Sequence, residues 1–197
     1  TIAPRIRVPS PDPTRGCQYS ECTYNTVMDP ADAANFFGIV LIGGAIALTA
    51  MTASRATRPA IIDAAPKLAA LVAIGATLGS LYFSERAGFV PCELCWYQRI
   101  AMYPLAVVLA IATVRDDRTI SRYALPLAAA GLGIAGYHIQ VQLFPEQASF
   151  CEAANPCSGR WVEAFGWMTI PQMAALSFAL VIALLLIARM PTTAEES

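Results

Sequence analysis

The sequence predicts an all-α, polytopic membrane protein, and two observations support that prediction. Of the 197 residues, 56% are hydrophobic and only 14% are charged, which is far from the composition of a soluble domain with a wet surface. The apolar residues also gather into charge-poor runs close to the ~20 residues that cross a hydrocarbon core. A net charge of -1 and scattered single basic residues give no indication of nucleic-acid binding.

Five charge-poor runs are candidate membrane spans. The second is short, and the third contains Arg99, whose charge would cost at least about 2.5 kcal/mol at the bilayer centre. We therefore expect Arg99 near the membrane surface. The first run predicts an additional N-terminal transmembrane helix, residues 33–54, and the other four predict a four-helix core within residues 55–190. The runs are Ala33–Ser54, Leu68–Ser84, Leu94–Val114, Tyr123–Pro145 and Ala164–Ala188.

The basic residues predict the orientation of the chain, because short loops rich in arginine and lysine are typically cytoplasmic. The arm 1–32, the loop around Cys92 and the loop 146–163 are then extracytoplasmic, and the tail 191–197 is cytoplasmic. All six cysteines fall on the extracytoplasmic side, where disulfides persist. The basic residues lie between spans one and two, between spans three and four, and after span five: Arg55, Arg58, Lys67, Arg115, Arg118, Arg122 and Arg189.

The N-terminal arm, residues 1–32, is rich in proline and polar residues and shows neither a helical nor a strand period. We expect it to be mostly irregular. It carries Cys17 and Cys22, and cysteines in an outer compartment seldom stay reduced. A structural disulfide that ties down the arm is the favoured interpretation of this pair, and an additional redox relay is the alternative.

The stretch Pro91–Arg99, PCELCWYQR, sets two cysteines in a C-x-x-C spacing at the start of the third span. If a helix begins here, a thiolate on Cys92 or Cys95 lies near the positive end of the helix dipole, which stabilises it. Arg99 follows on the same helical face and could stabilise a thiolate or a reduced, anionic electron acceptor. The pattern predicts redox chemistry at the membrane surface.

Cys151 and Cys157 form a second close pair in the next extracytoplasmic loop, so the chain offers an electron donor and an acceptor on one side of the membrane. Two structural disulfides are the main alternative, but a bridge across C-x-x-C closes too small a loop to restrain the unfolded chain much. A zinc site would draw its ligands from these cysteines and His138, the only histidine. We expect no metal, and His138 alone could simply be a satisfied polar group.

Two further patterns have structural interpretations. The segment Gly131–Gly136 matches the dinucleotide fingerprint G-x-G-x-x-G, yet it lies inside an apolar span with no preceding strand, which favours close helix packing. The aromatic residues Trp161, Phe165 and Trp167 follow the second cysteine pair and predict an interfacial anchor. A partner-docking surface is the alternative for these aromatic residues.

Over roughly residues 66–190 the chain resembles the disulfide bond formation protein B (DsbB) family of quinone-linked thiol oxidoreductases, in the short-loop form of Gram-positive and related bacteria. The first span and the arm lie outside that pattern. The loop between Cys151 and Cys157 is much shorter than in the enterobacterial form. The resemblance is carried by Pro91–Ile100, Tyr137-His138, Gln142–Pro145, Cys151, Cys157, Phe165-Gly166 and Ile170–Gln172.

The resemblance implies an enzyme of the bacterial cytoplasmic membrane that generates protein disulfides. It implies that Cys92 and Cys95 are coupled to a quinone, ubiquinone or menaquinone, and that Arg99 and His138 lie beside the quinone head group. It further implies that Cys151 and Cys157 exchange disulfides with a soluble, thioredoxin-like partner of the DsbA type. Relays from DsbA through DsbB to quinone are known to keep the bacterial periplasm oxidising.

Two alternatives remain beside this resemblance. A vitamin K epoxide reductase-like membrane oxidoreductase shares a helical bundle and two cysteine pairs, but its C-x-x-C follows the loop pair in the chain, whereas here it precedes Cys151. A non-catalytic membrane subunit whose loops are only stapled by disulfides belongs to a different class. A bound quinone would separate such a subunit from an enzyme.

Overall fold

A computed structural model describes residues 28–147, 151 and 155–190. Cys17, Cys22 and the tail 191–197 lie outside the described residues, so what the sequence predicts for them stays a prediction. Within the described ranges the chain forms five helices long and apolar enough to cross a membrane, which confirms the all-α polytopic fold. They are α1 (Pro30–Ala53), α2 (Arg58–Leu81), α3 (Glu93–Arg115), α4 (Ser121–Leu143) and α5 (Ile170–Ile187).

Helices α2 to α5 form a bundle in which α2 packs on α3 and α5, and α4 packs on the same two helices. Small residues let the backbones approach, since Ala65, Ala69 and Ala73 repeat every four residues along α2 and are fully buried. On α4, a Cβ added at Gly131 would lie only 2.3 Å from the ring of Phe178 on α5. The glycine pattern of α4 therefore serves helix packing at this position.

Helix α1 lies against α2 and α5 and is buried only near its N-terminal end, at Ala33, Ala34 and Gly38. The Asp29 side chain caps the helix by accepting a hydrogen bond of 2.8 Å from the Ala31 backbone N–H. Further along, α1 exposes large apolar side chains, as a helix in contact with lipid does. The helix ends where Ser54 takes an extended conformation.

Helix α2 begins at Arg58, ten residues before the predicted start at Leu68, and with the π-helical turn Tyr82–Arg86 the span reaches 29 residues. The prediction of a short second span was therefore wrong. The charged residues Asp63 and Lys67 end the apolar run on which the prediction was based. The helix itself continues through them, because a helix can extend beyond the apolar part of a span. A proline in its first turn suits the helix start.

Helix α5 begins at Ile170, six residues after the predicted start at Ala164. The intervening residues form a small hairpin of β1 (Glu163–Ala164) and β2 (Met168–Thr169). At its tip, Phe165 and Gly166 have φ values of 55° and 75°, a left-handed conformation that no helix accepts. Gln172 then accepts a hydrogen bond of 2.7 Å from the Thr169 N–H at the start of α5.

We predict that Gly131→Ala destabilises the bundle, because the added methyl group overlaps the buried Phe178 ring. Overpacking of this kind typically costs about 1–3 kcal/mol. The matched control is Gly133→Ala on the same helix, where an added Cβ meets no atom within 4 Å. Thermal unfolding of the purified proteins in one detergent measures both effects, and equal melting temperatures for the two variants would contradict the packing role of Gly131.

Candidate redox site

The C-x-x-C pair lies at the N-terminal end of α3, at the start of the third span as the sequence predicts. Cys92 is the N-cap residue, with φ -72° and ψ 172°, and Cys95 lies in the first turn of the helix. Their sulfur atoms are 3.1 Å apart, with Cys92 buried and Cys95 half-buried. The hydrogen bond with Cys95, and then the contact with His138, lower the pKa of Cys92 to about 4 against the opposing effect of burial. This lowered pKa favours the thiolate form of Cys92 over that of an ordinary cysteine.

His138, on α4, connects the two cysteine pairs. Its Nε2 atom lies 2.9 Å from the Cys157 carbonyl oxygen and 3.7 Å from Cys92 Sγ. Its Nδ1 atom lies 3.1 Å from Gln98 Nε2 on α3. The tautomer that satisfies both short contacts has Nε2–H donating to Cys157 and Nδ1 accepting from Gln98.

Cys151 and Cys157 form a disulfide, with their Cα atoms 6.0 Å apart. Cys157 is buried in one small cluster with Cys92, Leu94 and Val141, and the half-buried Cys95 and Cys151 pack against it. The structure therefore brings both predicted cysteine pairs together. Of the two loop cysteines, Cys151 is half-buried and Cys157 is buried, so Cys151 is the more exposed.

Polar side chains that the sequence analysis did not single out hold the disulfide loop at this depth. Gln142 on α4 donates to the Gly159 carbonyl oxygen at 3.2 Å and accepts from the Thr169 hydroxyl at 2.8 Å. Asn155 donates to the Val90 carbonyl oxygen at 3.3 Å, which ties the loop to the segment before the C-x-x-C. With Gln98, these residues form a supporting layer around the sulfur atoms.

On the other side of the C-x-x-C, a cleft of about 590 Å³ opens between α1, α2, α3 and α5. Its polar end holds Arg99, whose guanidinium donates to the Ser80 carbonyl oxygen at 3.1 Å and lies 5.2 Å from the Trp96 ring centroid. Cys95 also lines this cleft. The remaining walls are almost entirely apolar, so the cleft has an amphiphilic shape.

His138 lines a separate, small pocket with Cys92 and Cys95, so in the described part of the chain it does not border the cleft that holds Arg99. The family resemblance implies that both residues lie beside one electron acceptor. That assignment of His138 stays a prediction, and the geometry favours a role with the thiols.

Cys92, Cys95 and His138 also offer ligand atoms within 4.8 Å of one another, the kind of group that can hold a metal. A closed tetrahedral zinc site needs a fourth ligand. Cys151 and Cys157 pack in the same cluster, but their disulfide removes them as thiolate ligands. The expectation that the site is metal-free stays a prediction, which metal analysis of the purified protein can check.

A helical membrane bundle that clusters a C-x-x-C dithiol and a loop disulfide defines a membrane oxidoreductase that forms disulfide bonds. Residues 63–188 match the family described as disulfide bond formation protein DsbB, and the chain belongs to this family. The match begins after α1, in agreement with the predicted additional helix.

Curated relatives carry corresponding names. The chain is 47% identical over 114 residues to disulfide bond formation protein C of Bacillus subtilis, covering 57% of this chain and 83% of the relative. It is 46% identical over 141 residues to a probable disulfide formation protein of Deinococcus radiodurans, covering 66% and 92%. A probable disulfide formation protein of Metapseudomonas resinovorans is 43% identical over 126 residues, covering 62% and 88%. No solved structure matches the chain.

We predict that Cys92 reacts with a small neutral alkylating reagent at a rate that is constant from pH 8 to about pH 5 and halves near pH 4. The sign follows because only the thiolate reacts, and a lowered pKa keeps the thiolate present until the pH falls through that value. His138→Ala should move the midpoint upward. Peptide mapping by mass spectrometry separates Cys92 from Cys95, and a midpoint near the ordinary value of 9.0 would contradict the prediction.

Proposed function

We propose that this chain is a thiol:quinone oxidoreductase that reoxidises a thioredoxin-like, extracytoplasmic disulfide donor and passes electrons to ubiquinone or menaquinone. The observation that supports it most is the position of the C-x-x-C between the loop disulfide and the amphiphilic cleft. Cys92 belongs to the cluster that contains Cys157, and Cys95 lines the cleft that contains Arg99. Electrons can thus enter at one cysteine and leave at the other.

The first half of the reaction is thiol–disulfide exchange with the partner, which needs a thiolate that attacks a disulfide sulfur. The partner's thiolate attacks Cys151, the more accessible sulfur, and Cys157 leaves as a thiolate. Cys157 then attacks Cys92 of an oxidised C-x-x-C, and Cys95 leaves as a thiolate. No outside oxidant enters these steps, because each bond that breaks is replaced by a new disulfide.

The exchange is completed when the partner's second thiolate attacks its own mixed disulfide and releases Cys151. Cys151 attacks Cys157 in the Cys157–Cys92 bridge, and Cys92 leaves as a thiolate. The loop disulfide is restored, the partner is oxidised, and the C-x-x-C holds the two electrons. The low pKa of Cys92 suits this last step, since a more acidic thiol leaves faster.

The residues of the cleft fit a quinone. A bound quinone would supply an acceptor for two electrons and two protons. Arg99, fixed by the Ser80 carbonyl and the Trp96 ring, offers a fixed positive charge to a carbonyl oxygen that gains electron density. Cys95 faces the same cavity, so the sulfur that gives up electrons and the charge that stabilises the acceptor lie together.

His138 then acts on the thiols. Its Nε2 atom, 3.7 Å from Cys92 Sγ, stabilises the departing thiolate, and its bond to the Cys157 carbonyl keeps the attacking cysteine beside the target. A non-catalytic, disulfide-stapled subunit has no use for this arrangement, in which Cys92 and Cys95 are free thiols beside an imidazole.

The orientation that we propose places the cysteine loops on the extracytoplasmic side of a bacterial cytoplasmic membrane. The antiparallel helices put the α1–α2 connection, the α3–α4 connection and the end of α5 at one end of the bundle. Arg55, Arg115, Arg122 and Arg189 lie at that end, which is cytoplasmic by the positive-inside rule. The disulfide loop and the C-x-x-C lie at the opposite end, where a soluble partner can reach Cys151.

We predict that Cys95→Ser inserts normally but does not transfer electrons from a reduced partner to quinone, because a lone thiol cannot cycle through an intramolecular disulfide. Quinol formation, followed by absorbance in proteoliposomes, should fall to the rate without enzyme. An intact Cys151–Cys157 disulfide in the variant controls for folding. Retention of wild-type turnover would rule out the catalytic role of Cys95.

We predict a different outcome for Cys157→Ala. The variant should not oxidise the protein partner, yet a small dithiol should still reduce its Cys92–Cys95 disulfide and sustain quinol formation, since that reductant bypasses the loop pair. The two rates are compared in the same preparation. If the variant oxidises its protein partner at the wild-type rate, the proposed order of the relay is wrong.

A further inference from the structure

Helix α1 lies outside the segment that matches the family, which begins at residue 63, yet it forms a wall of the amphiphilic cleft. One stripe of α1 faces the cavity, with residues spaced three or four apart from Phe37 through Leu41 and Gly44 to Leu48 and Met51. The fifteen residues of helix from Phe37 to Met51 extend about 21 Å, most of the ~30 Å hydrocarbon core.

Helix α1 contacts the rest of the protein at two places along its length. At the outer end Gly38 packs so closely on the Phe165 ring that a Cβ would lie 2.8 Å from it, and Asn35 Oδ1 accepts from the Phe165 N–H at 2.7 Å. Deeper in the membrane, Leu48 packs against the main core. Between these contacts, Cβ atoms added at Gly44 and at Gly75 on α2 would meet no atom within 4 Å, although both glycines line the cleft.

We propose that α1 is the wall that holds the isoprenoid tail of the quinone, and that the free space at Gly44 determines how tightly the tail binds. The inference rests on the proposed function, whose acceptor head group would lie at Arg99. The cleft matches such an amphiphile, with one cationic, polar end at the membrane surface and an apolar channel below it. Its volume of about 590 Å³ lies within the range of small-molecule sites.

The test fills the channel without disturbing the helix contacts. Gly44→Leu adds a side chain where nothing stands within 4 Å, and Gly43→Leu adds the same side chain to the neighbouring position, which also has free space but does not line the cleft. Both full-length variants are reconstituted in proteoliposomes with a reduced protein partner. Quinol formation is measured with a long-tailed quinone and with a quinone of the same ring without a tail, each expressed as a mole fraction of the lipid.

We expect Gly44→Leu to raise the KM for the long-tailed quinone about tenfold. The kcat should stay nearly unchanged, because the lost tail contacts stabilise the bound quinone equally in the ground state and in the transition state. The KM for the tailless quinone should stay at the wild-type value, which also shows that the variant is folded. Gly43→Leu should leave both KM values unchanged. Gly75→Leu, on the opposite wall, should behave as Gly44→Leu does.

Several results would overturn the inference. An unchanged KM of Gly44→Leu for the long-tailed quinone would mean that the cleft holds membrane lipid and not the tail. Equal effects of Gly43→Leu and Gly44→Leu would assign the change to the lipid-facing surface of α1. If wild type reduces neither quinone, the proposed function itself fails, so the two failures are distinguishable.

Discussion

The site depends on one buried imidazole whose two nitrogen atoms must both be satisfied. His138 is only 2% exposed, and its partners are the Gln98 side chain on α3 and the Cys157 carbonyl in the disulfide loop. An unpaired buried polar group costs roughly 1–3 kcal/mol, so the loop is held at the depth where its backbone meets the ring. That constraint places a sulfur of the loop beside Cys92. A short loop suffices, since no large movement is needed to bring the two pairs together.

The first turn of α3 separates two environments with different chemistry. On one side Cys92 and the loop disulfide share a small buried cluster, with His138 Nε2 3.7 Å from Cys92 Sγ, an arrangement that suits exchange between neighbouring sulfur atoms. On the other side Arg99 heads a wide apolar cleft. Cys95 borders both cavities, so under the proposed reaction it is the residue where the thiol chemistry and the acceptor chemistry meet.

Hydropathy and cysteine spacing were enough to predict the five spans, the additional helix and the pairing of Cys151 with Cys157 in one loop. They mispredicted where α2 and α5 begin. Averaged hydropathy detects neither a helix that continues through Asp63 nor a left-handed turn at Phe165 and Gly166. Gly166, directly after Phe165, was the available signal for that turn, since glycine takes a positive φ readily.

The supporting polar layer was harder to predict. The sequence shows that Gln98 and Gln142 are amides near the ends of apolar spans. It does not show their hydrogen-bond partners, which include a backbone carbonyl and the imidazole of another helix. The cleft was not predictable, because it arises where side chains are missing, at Gly44 and Gly75, between helices that touch elsewhere. Such a space depends on the placement of whole helices.

A series of aromatic rings connects α1 to the loop that follows Cys157. Ring centroids lie 5.9 Å apart for Phe37 and Phe83, 6.2 Å for Phe83 and Phe89, and 6.1 Å for Phe89 and Trp161. Phe83 belongs to the π-helical turn that ends the second span, a feature often found at functional sites. Trp161 borders both the cleft and the small pocket of the thiols, so this series of rings packs α1 against the same side chain that lines the redox site. The additional helix is thereby part of the same packed unit as the site, although it lies outside the segment that the family shares.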